Sequence, residues 1–194
     1  MTPMVDLFAL LLTFFMLTTS FRPQEAAIID SPFSISDKQA PDKNIITVYI
    51  DSKNKIFFNM DNGKDTTSHD RKRLMMSMAN RYGIKLTEKE LITFERMSSF
   101  GLPMKDIQKW ISSEDPKEKE ALQTGIPTDS IDNQLSYWIR YARITNPSAE
   151  VAIRGDGNAE YKVVKKVMDL LQENKVNKFN LVTNLQKEEA TIEK

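Results

Sequence analysis

The chain has 194 residues, 27 basic and 27 acidic side chains, a formal net charge of zero, no cysteine and one histidine. That length suits one membrane span plus one medium domain, and the balanced charge offers no electrostatic footprint for nucleic acid. The missing cysteines exclude disulfide scaffolds and thiolate metal sites. The sequence holds no P-loop, no Gly-x-Gly-x-x-Gly and no Gly-x-Ser-x-Gly, so an enzymatic reading has no constellation to stand on.

From Val5 to Leu17 the chain is apolar except for Asp6 and Thr13. With Pro3, Met4 and Thr18–Phe21 the stretch approaches the roughly 17–25 residues that cross a bilayer as a helix, so a transmembrane helix is predicted over residues 1–21. An ionised Asp inside hydrocarbon costs roughly 2.5–3.5 kcal/mol, which makes Asp6 a candidate functional group, here a proton carrier. Three other readings compete. A cleavable signal peptide needs a basic leader and a small-x-small site, and neither is present. A buried soluble helix fits an apolar run of roughly 10–14 residues better. Asp6 as a helix cap at the membrane surface stays open. At about 100° per residue, Leu10, Thr13 and Leu17 return to the side of Asp6 and form the candidate pore-facing stripe. The Thr13 hydroxyl either serves that stripe or bonds its own helix.

Residues 22–44 carry Pro23, Pro32 and Pro41 and read as an extended linker. Ile28, Ile29, Phe33 and Ile35 are more apolar beads than an inert tether needs, so a docking strand is the functional alternative to a flexible stalk. Ile45–Ile50 and Ile56–Asn59 are β-branched or aromatic and predict a hairpin with Asn54 in its turn. Asn62-Gly63 marks the next turn.

Helices are expected from about 64 to 147, an insertion in a domain over 45–185. Leu74, Met75, Met78, Ala79 and Tyr82 make one apolar stripe. Thr87-x-x-Glu90 is a capping box that opens a helix with Leu91, Phe94 and Ser98 on one side and Gly101 as its stop. Met104, Ile107 and Trp110/Ile111 suggest a third helix. Lys117–Glu120 reads as solvated charge. Ile131, Leu135, Trp138/Ile139 and Ala142 suggest a fourth, stopped by Asn146-Pro147. The insertion serves either as a cover for a small sheet or as a docking surface for a partner. His69, beside Asp70 and Arg71, reads as a solvent-exposed loop residue.

Glu150–Arg154 is a strand, Asp156 or Asn158 is a candidate helix cap, and Tyr161, Val164, Val167, Met168 and Leu171 recur at helical spacing through Asn174. Phe179–Thr183 is the last strand. This is a strand-helix-strand unit, and residues 186–194 form a charged tail. Gly155-Asp156-Gly157 lacks the ligand spacing of a calcium loop.

Thr2, Pro3, Asp6 and Thr13, set in Met1–Thr19, resemble the membrane segment of the ExbD/TolR family. Ile45–Asn59 and Val151–Thr183, with Asp156, Tyr161 and the run Val163–Asp169, resemble its periplasmic hairpin and closing strand-helix-strand. The long middle departs from the compact family pattern. The resemblance implies a single N-terminal transmembrane helix plus a small α+β periplasmic domain in the bacterial inner membrane, in contact with lipid. It implies a short cytoplasmic tail ahead of Thr2, where this sequence has only Met1. It implies a ring of ExbB/TolQ-like multi-span subunits, a second copy of the chain, a TonB-like periplasm-spanning partner and the proton as coupling ion, with no cofactor. Two alternatives accompany it: a TolR-like role in envelope constriction, and an anchored periplasmic binding module without proton chemistry.

Overall fold

The computed structural model describes residues 2–18, 33–34, 44–61, 68–129, 131–182 and 184–185. The chain opens with helix α1 (Thr2–Thr18), followed by a short strand β1 (Phe33–Ser34). The sheet proper begins with β2 (Ile45–Ile50) and β3 (Ile56–Asp61), an antiparallel hairpin. Its turn is closed by the Asp51 carboxylate, which accepts from the backbone N–H groups of Lys53 and Lys55 at 2.9 and 2.7 Å. Asn54 takes the left-handed conformation (φ 62°) that asparagine tolerates better than most residues.

A helical segment follows: α2 (Asp70–Tyr82), α3 (Glu88–Arg96), a 3-10 turn at Met104–Asp106 running into α4 (Ile107–Ser112), α5 (Pro116–Leu122) and α6 (Gln134–Thr145). The chain then returns to the sheet through β4 (Glu150–Gly155), α7 (Tyr161–Glu173) and β5 (Asn180–Val182). A last strand, β6 (Asn184–Leu185), pairs in parallel with β1. The main sheet has the order β3-β2-β4-β5, with β4 parallel to both β2 and β5. The fold is α+β.

Alternation divides the strand residues between the two faces of the sheet, and one face carries the main core. Ile46, Val48 and Ile50 lie opposite Met60, Phe58 and Ile56 on one side and Val151 and Ile153 on the other. All are buried in one cluster with Leu74, Met75, Met78, Phe94, Trp138, Ile139, Val167 and Leu171. The helical segment therefore covers the sheet, as the simpler of its two sequence readings expects. At the centre the ring centroids of Phe100 and Trp138 stand 4.7 Å apart edge-on, and Phe58 and Phe94 flank them.

The segment also closes one side of the sheet. Phe58 N–H donates to Phe100 O at 2.7 Å, Phe100 N–H returns the bond at 3.0 Å, and Ile126 N–H donates to Ile56 O at 2.9 Å. The outer edge of β3 is thus bonded to the helical segment's own connections, which removes a free strand edge.

Several expectations need correction. The helix opened by Thr87 ends at Arg96, before Ser98, and Gly101 does not stop it. Gly101 instead lies against Phe57, where a side chain has no room. Ile131 lies outside α6 and is 100% exposed, because the Asn133 side chain caps the helix by accepting from Ser136 N–H at 3.1 Å. Neither Asp156 nor Asn158 caps α7. Asp156 accepts from Asn158 N–H at 2.8 Å, and Asn54 of the distant hairpin accepts from Glu160 N–H at 2.9 Å. Lys117–Glu120 is solvated but helical, with Asp115 accepting from Lys117 N–H. The strand expected at Phe179–Thr183 is β5, which begins at Asn180 and leaves Phe179 half-buried against the core. Within the linker, Phe33–Ser34 form a strand with this chain's own Asn184–Leu185. The turn at Asn62-Gly63, linker residues 22–32 and 35–43 and the tail from 186 lie outside the described residues.

Candidate functional site

The helix α1 carries the candidate proton site. Every side chain from Met4 to Met16 is exposed. The large apolar ones range from 48% exposed at Leu11 to 73% at Leu10. A helix apolar on all sides belongs in lipid or in a protein sleeve, because fully burying each Leu- or Phe-sized side chain gains about 1.5–3 kcal/mol. At 1.5 Å per residue its 17 residues reach about 26 Å, short of the roughly 30 Å hydrocarbon core. Among the described residues no helix is long and apolar enough to cross a membrane.

Asp6, Leu10 and Thr13 are all exposed on α1. Their spacing places them on one side of it. Leu17 belongs to the same helix, and its side chain lies outside the described residues. The Thr13 hydroxyl donates to the carbonyl of Leu10 at 2.9 Å, the self-bonded arrangement weighed above. Its oxygen keeps acceptor capacity, so the stripe carries one carboxylate and one acceptor hydroxyl.

The rest of the domain contains polar groups that serve its architecture. His69 is exposed as expected, and its Nδ1 also lies 2.7 Å from Glu95 Oε1, which ties the start of α2 to the end of α3. Among the described residues no group of His, Asp or Glu is arranged to hold a metal ion. A cleft of about 740 Å³ opens where β4 and β5 begin, with Arg143, Glu150, Lys175 and Lys178 on its lining. Glu150 there accepts from Asn180 and Arg143 donates to Ala149 O, so the cleft holds charges but no base–nucleophile pair.

Sequence reading missed Arg71. Its Nη1 donates to Asn59 Oδ1 at 2.6 Å and Met60 O at 3.0 Å, and its Nη2 donates to Ser98 O at 2.5 Å. Burial pushes its guanidinium down to about 10, against the opposing pull of Asp61 and Glu95, so it stays charged at neutral pH. An Arg beside His and Asp in a polar run carries no sequence signal of burial.

A family model described as biopolymer transport protein ExbD/TolR matches residues 1–186. The chain belongs to the ExbD/TolR family. No curated protein matches it, and no solved structure does. Members of the family are inner-membrane transport proteins with periplasmic domains, not known enzymes, and work with ExbB/TolQ-type and TonB/TolA-type partners. The match runs from α1 through the last strands of this ExbD/TolR chain, and so takes in the helical segment as well as the two sheet-forming halves.

Proposed function

We propose that this ExbD/TolR-family chain is the proton-driven motor subunit of an ExbB–ExbD-type inner-membrane complex. The observation that carries the reading is α1, an apolar, exposed helix whose one ionisable side chain is Asp6. A lone helix cannot shield and wet its own carboxylate. It needs a sleeve of other helices, here a ring of ExbB/TolQ-like subunits around α1 and a second copy of the chain. Protonation neutralises Asp6, and deprotonation restores a charge that seeks a polar neighbour. One charge crossing about 100 mV delivers roughly 2.3 kcal/mol, enough to bias a two-state contact more than tenfold. Leu10, Thr13 and Leu17 line the path beside Asp6, and the folded domain passes the motion to a TonB-like partner for outer-membrane transport.

Asp6→Asn tests the reading. The variant is expected to assemble with the ring and to lose transport at least tenfold. Full transport by Asp6→Asn would sink the proton role and leave an anchored binding module. Co-purification with a TolA-like rather than a TonB-like protein would move the chain to the envelope-constriction role.

A further inference from the structure

Several chain segments converge at the end of the sheet where β2 begins. Asn44, the residue just before β2, has a left-handed backbone (φ 57°) and uses both ends of its carboxamide. Its Oδ1 accepts from Asn146 Nδ2 at 2.7 Å, and its Nδ2 donates to Ser148 Oγ at 3.4 Å. Ser148 Oγ in turn donates to Asn146 Oδ1 at 2.9 Å, which closes a ring of three side chains. Asn146 Nδ2 also reaches Asp70 Oδ2 at 3.3 Å, and the backbone O of Asn44 accepts from Glu150 N–H at 3.0 Å.

Asp70 and Asn146 are the two roots of the helical segment: the first residue of α2 and the C-cap of α6. Asp70 is buried and paired with Arg73. The next residue, Arg71, grips the end of β3 as described above. Asn44 is therefore bonded directly to one root of the helical segment, Asn146, through it to the other, Asp70, and also to the backbone of β4.

We propose that this network is a force-transmitting junction, through which tension arriving along the chain from α1 passes to the helical segment and not to the sheet alone. The inference rests on the motor reading only for the source of that tension. It gives the helical segment a mechanical part beyond covering the core. Without Asn146, a pull at Asn44 loses its direct bond to the helical segment's root and falls on the sheet bonds of β2 and the 3.4 Å contact with Ser148.

The chain has no cysteine, so paired cysteines can carry pulling handles on the full chain in a lipid nanodisc. One pair is Lys38→Cys with Ile131→Cys, which loads the path through Asn44. The other is Leu181→Cys with Ile131→Cys, which loads the sheet and helices without it; Ile131 and Leu181 are both exposed. In the first geometry Asn146→Ala is expected to raise the rupture rate at constant force roughly five- to tenfold, the scale of one net hydrogen bond. In the second the change should stay below about twofold. Asn44→Gly, which keeps the positive φ, should repeat the pattern. An equal change in both geometries would make the network a general stabiliser, and no change in either would mean it bears no load; each overturns the proposal. No proton gradient is used, so this outcome is separate from that of Asp6→Asn.

Discussion

Gly101 lies so close to Phe57 that a Cβ at that position would stand 2.4 Å from the ring Cδ1 and 2.8 Å from the carbonyl of Ile56. Phe57 is buried, and its neighbour Phe58 makes the paired bonds to Phe100 that seal the edge of β3. Gly101→Ala must push the ring or the strand aside. A cost of about 1–3 kcal/mol is expected, read as a lower urea midpoint with an unchanged slope. Phe57→Leu in the same chain should recover part of the loss, because the two residues share one space.

Arg71 supports a second prediction. Arg71→Ala leaves the acceptors of Asn59, Met60 and Ser98 without their donor and should cost about 3–5 kcal/mol, the range for breaking a buried charged network. Arg71→Met keeps an apolar stem over the Phe94 ring, which the guanidinium carbon overlies at 5.3 Å. It should cost less than the alanine change. Denaturation of both variants in parallel checks the order, and equal losses would refute it.

The capping box of α3 gives a pH dependence. Glu90 is held below its ordinary value, first by the backbone N–H of Thr87 and then by the Thr87 hydroxyl. A carboxylate with a depressed folded-state value stabilises the fold above its unfolded value near 4.5 and loses that contribution as pH falls through the folded one. Thr87→Ala should cost about 1 kcal/mol at neutral pH. The gap between wild type and variant should shrink as the pH is lowered below 4.5. A gap that stays constant into acid would rule out Glu90 as its source.

The exposed apolar surface of α1 predicts partitioning into lipid. The full chain should float with phospholipid vesicles. Leu11→Arg or Phe15→Arg should each weaken that by about 2.5–3.5 kcal/mol if the side chain lies at mid-depth. Ile131→Ser, on the folded domain, should leave flotation unchanged and alter stability by less than about 0.5 kcal/mol.

What the sequence disclosed follows from how local each signal is. The hairpin was legible because β-branched or aromatic residues recur on both sides of Asn54, and the capping box because Thr87 and Glu90 satisfy each other within one turn. Asp6 stood out because a charge in an apolar run is costly wherever it lies. Gly101 was misread because a glycine after an amphipathic run looks like a helix stop, whereas its reason is a ring contributed by a strand more than forty residues earlier. Ile131 continues the periodicity of α6 by one turn, but the cap at Asn133 starts the helix after it. Arg71 and the Asn44–Asn146 pair gave no signal, because their partners are set by tertiary approach: Asn44 and Asn146 lie 102 residues apart.

The sealed side of β3 has one more consequence. A sheet with both flanks available can add copies without limit and grow into a fibre. In the main sheet, among the described residues, β5 is the flank not bonded in this way, so a copy joined there by two-fold symmetry would use up that flank in each partner. Pairing of that kind closes at two copies and does not propagate into a fibre.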